Sequence, residues 1–583
     1  MQTKNAPPSR ADGPSENELF FAVGITGHRD LVPEECDQTE TAVRKALLGL
    51  SMRFKNMPIQ VVTGLAEGAD TLVAHIALDM GLAVHAVLPL PADIYANDFD
   101  GAALKTFRTL LQDPRVQVSE IPLADGVTAE SVSEPSVREG QYVRLMDYIQ
   151  RRSNLLLALW DGDDKGLAGG TGDVVLGYLG GVEGQRPMEV PIDAADPETG
   201  ADLVYWVPVS RSGSHHRTAP AAPTYLVASP TSDYYWKQAA IPAVIDARWK
   251  GLDAFAGERA LGLGQDLPGY PLLPDNAPPV SMEIRGIEAE YIRIDKLARA
   301  NQTNSDRMFK LFGLLAAAMG FFFLVYAKIA AVKAFLVIYI LLFVVGFIGF
   351  KVSRRNQWLP KHLCYRALAE TLRVQLFLAV SGVARGYGMS RILRLTNVDS
   401  FERFDWLRDA IRCCEPLVET GHAKAQDALE LVRTYWVEDQ ANYYHRKLHA
   451  MHRRHERLER VKGLLLAGSV LGALALIFFK KALLHLDMAG YDGKAILVFL
   501  MGLLPLWVAV WELYQGKMAT RELIWQYSNQ ERLFRAAIKP LTFAKRPQDA
   551  TRIITDLADK ALIENYLWSV HRYHREHEPP AAG

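Results

Sequence analysis

Three glycine-rich turns hold the side chains of this chain best suited to chemistry: GITGHR at Gly24–Arg29, TGLAEGAD at Thr63–Asp70 and GGTG at Gly169–Gly172. Glycine lets a backbone close on a phosphate, and the free amides and positive dipole end of a following helix stabilise the anion. On that reading Gly24, Gly27, Gly64, Gly68, Gly169, Gly170 and Gly172 shape the cradle. Thr26, Thr63 and Thr171 add hydroxyls, and Arg29 adds a fixed cation. Glu67 and Asp70 are placed to accept from ribose hydroxyls, with helix capping the alternative for Asp70. His28 is either a ligand contact or a structural residue of its turn, and Trp160 either stacks on a base or packs in a core. Arg138, Arg144 and Arg152 precede the third turn on a helix and are either ligand-facing or solvated. One such turn is weak evidence, because glycine punctuates most strand-to-helix joints. Three in series point to a phosphate-bearing, nucleotide-derived ligand.

The elements that must position these turns alternate strand and helix from Leu19. FFAVGIT, IQVVTG and LAVHAVLPL are strands, followed by a weak strand at Val116–Val118, then Leu155–Leu159 and LVYWVPV. Helices fall at Glu34–Phe54, where Val43, Leu47, Leu50 and Phe54 repeat at helical spacing, and from Leu65–Asp70 through Met80. Others fall near Leu104–Leu111, at Ser136–Arg152 and after GGTG. Parallel strands need crossover helices, so the alternation predicts an α/β doubly wound parallel sheet, with all three turns on its carboxyl edge, where ligands bind.

Composition bounds the remainder. At 583 residues the chain has room for two to four domains. Its formal charge of −1 implies no bulk attraction to nucleic acid, so any anion site is local. Cys36, Cys364, Cys413 and Cys414 lack metal-ligand spacing and suit buried thiols in a reducing compartment. The predicted organisation is a loose tail at 1–17, an α/β domain at 18–213 and a linker at 214–281 holding one helix near Tyr234–Arg259. Two membrane units follow at 282–415 and 416–583.

Those units rest on four apolar runs of 16 or 17 residues: Leu311–Tyr326, Ala334–Phe350, Gly463–Phe479 and Ala495–Trp511. At about 1.5 Å per residue each run with its flanks covers most of a roughly 30 Å hydrocarbon layer, so two transmembrane hairpins are expected. Arg299, Arg307, Lys310, Lys351, Arg354, Arg355, Lys361 and Arg366 flank the outer ends of the first hairpin, against Lys328 and Lys333 in its turn. A basic run from Arg446 to Lys462 precedes the second, with Lys517 and Arg521 behind it. The positive-inside rule thus predicts a multi-pass protein of the inner (plasma) membrane with both termini cytoplasmic, although Lys480, Lys481 and Lys494 weaken the second half of that argument. From Met282 a long polar helix is expected to run into the first span. Ionisable side chains are absent from the spans, which disfavours a transporter. Small residues at Gly313 and Ala317, Ala316 and Gly320, and Gly468 and Gly472 suit close helix contact in an oligomer, and Pro505 suits a kink. The basic run before the second hairpin suits either anionic headgroups or plain solvation, and the histidines of HRYHREHE suit a loose tail.

The same residues carry a resemblance. TGHR after the first strand, TGLAEGADTLVA after the second, and LALWDG with GGTGDVV after the fifth resemble the SLOG superfamily, the Rossmann-like group containing the DprA and LOG proteins, over Leu19–Ser212. The resemblance implies a pocket for a nucleotide-derived ligand of cyclic, oligomeric or ADP-ribose type, with no other cofactor. LOG-type members release the base from nucleoside monophosphates with a PGGxGTxxE motif. Here AGGTGDVVLG places Ala168 at the proline position and lacks the glutamate, which favours binding over hydrolysis. The hairpins, each followed by an amphipathic helix such as CYRALAETLRVQLFLAV, resemble the SLATT family of two-span membrane effectors over Ile284–Pro540. That resemblance implies a pore-forming homo-oligomer in bacterial antiphage defence, supplied with its signal by a nucleotidyltransferase or TIR-type enzyme. The expectation is a ligand-gated membrane pore; a tethered nucleotide hydrolase and a membrane-anchored scaffold are the alternatives.

Overall fold

The computed structural model describes residues 19–124, 126–163, 169–180, 202–212, 222–228, 235–274, 277–382, 405–415, 425–485, 487–488, 491–544 and 546–573. The N-terminal tail, Ala168 and most of the histidine-bearing C-terminal segment lie outside these residues.

An eight-stranded sheet carries the first half. Its strands are β1 (Phe21–Gly27), β2 (Ile59–Thr63), β3 (Ala83–Leu88), β4 (Val116–Glu120), β5 (Leu155–Trp160), β6 (Val204–Pro208), β7 (Thr224–Ala228) and β8 (Tyr235–Gln238), in the order β4-β3-β2-β1-β5-β6-β7-β8. β1 to β6 pair in parallel, while β7 and β8 add on antiparallel. The helices are α1 (Cys36–Arg53), α2 (Ala69–Asp79), the single-turn α3 (Ala92–Tyr95), α4 (Gly101–Gln112), α5 (Pro135–Arg152), α6 (Thr171–Gly180) and α7 (Ala243–Ala260). Side chains alternate across the strands. Ala22, Val62, Leu156, Ala158, Trp160, Val204 and Trp206 pack against Leu145, Ile149, Val175 and Tyr178 of α5 and α6. The other set is represented by Phe21, whose ring meets Phe54 after α1 at 4.2 Å and Trp249 of α7 at 5.0 Å. The sheet is therefore doubly wound and Rossmann-like. The stretch expected as a linker contributes β7 and β8 as well as its one helix.

The helical elements that follow are α8 (Met282–Lys328), α9 (Lys333–Asn356), α10 (Trp358–Ser381), α11 (Trp406–Cys413), α12 (Ala425–Leu431), a π-helical run Val432–Glu438, α13 (Asp439–Leu484), α14 (Gly493–Lys517), α15 (Thr520–Phe543) and α16 (Pro547–Tyr573). The chain forms two compact units that do not follow the sequential boundaries expected above: Met1–Leu263, Tyr270–Arg293 and Leu368–Leu431 form one, the rest the other. The α/β unit thus recruits chain from beyond the first hairpin. α11 lies at the amino edge of the sheet, where Asn154 takes the Ala22 amide at 3.0 Å and gives its own amide to the Asp409 carbonyl at 3.0 Å. Asp409 pairs with Arg248 at 2.7 Å, and Asp202 with Arg408 at 2.6 Å and Arg412 at 2.8 Å, all buried except the half-buried Arg408. Arg152, for which the sequence allows a ligand-facing or a solvated position, is buried here and donates to the Arg412 carbonyl and to Gln60.

Among the described residues four helices are long and apolar enough to cross a membrane; they contain the four runs, which lie in the second unit. Their apolar side chains face outward: Leu464 is 74 % exposed and Ile477 71 %. The expected small-residue contacts occur within one chain: a Cβ on Gly320 would lie 2.2 Å from Leu506, and one on Gly472 3.1 Å from Met501. α14 continues through Pro505, whereas α13 has one non-helical residue, Phe479.

Candidate functional site

β1 leads by way of α1 to β2 on one side, and β4 returns through α5 to β5 on the other. The strand order therefore reverses between β1 and β5, and a crevice opens at their carboxyl ends. A cavity of about 320 Å³ occupies it, within the size range of small-molecule sites. Ten of the predicted residues line it: Thr26, Gly27, His28, Arg29, Gly64, Asp70, Gly169, Gly170, Thr171 and Gly172.

The first two turns are bound to each other. Gly68 sits at φ +87°, where a Cβ would lie 2.4 Å from the Arg29 carbonyl, and the Ala69 amide donates to the His28 carbonyl at 3.1 Å. Gly27 meets α2 so closely that a Cβ would lie 2.3 Å from that of Ala69. Asp70 folds back over its own turn and accepts from the Gly64 amide at 3.1 Å and the Ala66 amide at 3.4 Å. The second turn thus uses its Gly64 and Ala66 amides internally. The third differs: the Gly169 amide donates to Asp173 at 2.8 Å, but α6 opens at Thr171 with first-turn amides that no helical carbonyl can reach.

Five predicted contacts do not line the cavity. Gly24 lies inside β1, where a Cβ would strike the Ser153 hydroxyl at 2.0 Å; it admits α5 to the sheet. Thr63 is buried and accepts from the Leu65 amide at 3.1 Å. Glu67 is exposed, and Gly68 serves the packing just described. Trp160 is a core residue, 1 % exposed, its indole donating to the Asp163 carbonyl at 2.9 Å.

Several lining residues were not singled out from sequence. Tyr95 and Tyr142 form one wall, with the Arg29 guanidinium 5.7 Å from the Tyr142 ring centroid and the Tyr142 hydroxyl donating to Asp98. Leu145, Met146 and Ile149 of α5 give an apolar floor. Arg211 pairs with Asp30 at 3.0 Å. TGHRD and GGTGD each place an aspartate just after a predicted motif, a signal available in the sequence; the tyrosines had none.

Burial dominates the site's electrostatics. It pushes the Asp70 carboxyl up to about 6, against the Thr63 and amide hydrogen bonds and the Arg29 charge, which favour ionisation. Burial also lowers the His28 pKa, against Asp161, so its neutral Nε2 accepts from the Asp161 amide at 3.0 Å. Burial raises the Tyr142 hydroxyl. A carboxyl near 6 in a crevice suits proton transfer in principle. Here one Asp70 oxygen is held by two amides, which makes the group a staple of its turn. Among the described residues no three His, Cys, Asp or Glu side chains converge on a metal-sized site.

The chain is, by fold and by the length and composition of four helices, a multi-pass membrane protein with a Rossmann-like α/β unit. Comparison with protein families, with curated proteins and with solved structures gives no match.

Proposed function

We propose that this chain is a SLOG-type sensor fused to SLATT-type spans: a nucleotide-derived signal binds the crevice and gates an oligomeric pore in a bacterial inner membrane, as an antiphage effector with both termini in the cytoplasm. The observation that carries the reading is the glycine turn at which α6 opens, its amino end placed at the sheet's switch point and lining the same cavity as Arg29. A route for coupling supports it. α5 lines the cavity through Tyr142, Leu145, Met146 and Ile149, and the segment ending it binds the chain beyond the first hairpin: Arg151 pairs with Glu415 at 2.8 Å, and Ser153 accepts from Arg412 at 2.7 Å. α8 is one helix from Met282 to Lys328. A ligand biases such a gate only by its difference in affinity between closed and open states, typically about 1–3 kcal/mol.

The test uses the full chain in liposomes loaded with a dye, offered cyclic dinucleotides, cyclic trinucleotides, ADP-ribose and AMP. Leakage with at least one, lost in Gly172→Trp while membrane insertion is retained, supports the proposal. Turnover of a nucleotide without leakage transfers the protein to the hydrolase reading. Indifference to the whole panel overturns the sensor.

A further inference from the structure

α13 is a 46-residue helix whose second half is the third apolar run. At 100° per residue, Arg446, Arg453, Arg457 and Arg460 fall within an arc of about 60°, and Arg454 flanks them. All five are exposed. Arg453, Arg454 and Arg457 share a shallow hollow with Ala450 and Leu458.

Glu456 is exposed at the edge of the strip, three residues after Arg453 and four before Arg460, and the other acids near this helix are engaged on its other sides. Glu459 pairs with Lys462 at 2.8 Å, Lys462 also reaches Glu512 of α14 at 2.5 Å, and His445 meets Glu531 of α15 at 2.6 Å. Tyr444 stacks on Phe534 of α15. Gly472 and Ser469 face Met501 of α14. α13 therefore turns its paired sides toward α14 and α15. Among the described residues, no carboxylate lies at ion-pair distance from the five arginines. Like charges along one exposed strip repel one another, so an anionic neighbour stabilises the strip.

Depth identifies what that is. Counting back from Gly463 along the helix, Arg460 lies about 5 Å, Arg457 about 9 Å and Arg453 about 15 Å from the start of the apolar run. The headgroup layer is roughly 5–8 Å thick on each side, and arginine stems bend several ångströms along the axis to place their guanidinium groups. The planar fork matches phosphate oxygens two at a time. We propose that the membrane-proximal part of this strip, Arg453, Arg454, Arg457 and Arg460, is a binding surface for anionic phospholipid headgroups, of phosphatidylglycerol type, in the leaflet that α13 enters; Arg446, about 26 Å from the apolar run, lies beyond it. The proposal is independent of what the α/β crevice binds.

The full chain is placed in nanodiscs of equal phosphatidylcholine and phosphatidylglycerol, and the lipids that remain bound on release are counted by native mass spectrometry. The wild-type chain is expected to retain phosphatidylglycerol in excess. Each basic residue near the surface contributes about fivefold to that preference. The triple variant Arg453→Gln, Arg454→Gln, Arg457→Gln should approach the bulk ratio, while the corresponding lysine variant keeps most of the excess. Raising salt to 0.5 M should reduce the wild-type excess, and 10 mM inorganic phosphate should not, because it brings no acyl chain. Equal ratios in the wild-type and glutamine proteins, or loss of the excess to inorganic phosphate, overturn the proposal. A lysine variant as impaired as the glutamine one overturns the electrostatic account.

Discussion

Replacing Asp70 with asparagine should stabilise the α/β unit at neutral pH. Asp70 is buried and its carboxyl is raised from 3.8 to about 6 by desolvation. A raised carboxyl binds its proton more tightly in the folded chain. Below the unfolded value both states are protonated and there is no cost. As pH climbs from about 4 to 6 the unfolded chain ionises first and stability falls. Above 6 the full cost of burying the charge is present, about 3 kcal/mol from the size of the shift, with about half of it already present at pH 5. The asparagine carbonyl can still accept from the Gly64 and Ala66 amides, so the turn keeps its staple. With about 2 cal/mol/K of unfolding entropy per residue over roughly 300 residues, the gain at pH 7.5 corresponds to a midpoint about 5 °C higher. Tryptophan fluorescence is a suitable readout because Trp160, Trp206, Trp249 and Trp406 are all buried in this unit. A variant less stable than wild type at pH 7.5, or an advantage that does not shrink between pH 7.5 and 5, would refute the reasoning.

Two further outcomes are expected. Arg248→Met leaves the fully buried Asp409 carboxylate without its partner and should cost about 3–5 kcal/mol in a denaturant titration, while adding Asp409→Asn should restore roughly half of it. Trp160→Phe removes the indole hydrogen bond to Asp163 and should cost about 1–2 kcal/mol, yet calorimetry should find nucleotide affinity unchanged within about twofold, since the ring lies in the core.

The parallel core of the sheet was legible because its strands are short apolar runs closed by glycine turns, and the four spans because nothing charged interrupts them. β7 was not: TYLVA is five residues set among prolines and serines, too short for a period to emerge. At the site, glycines at strand ends located the crevice but did not reveal which amides the fold itself uses. Glu67 and Asp70 look alike in TGLAEGAD, yet one is exposed and the other folds back under its turn. Tyr142 and Met146 reach the cavity from a helix whose sequence carries no motif. The longest-range feature, Asp202 with Arg408 and Arg412, joins residues 206 and 210 positions apart, and no local pattern announces such a pair.

That separation has a consequence for biosynthesis. On the ribosome, Asp202 emerges 210 residues ahead of Arg412, which at about 5–20 residues per second is a wait of roughly ten to forty seconds. During that interval the first hairpin has to leave the exit tunnel and enter the lipid, while Asn154, Asp202 and Arg248 stay hydrated or sheltered by a chaperone. A nascent chain halted before residue 400 would hold a Rossmann-like layer with a polar socket at its base and no plug, a natural substrate for quality-control proteolysis. Completion of the α/β unit in this way waits on the passage of the first hairpin.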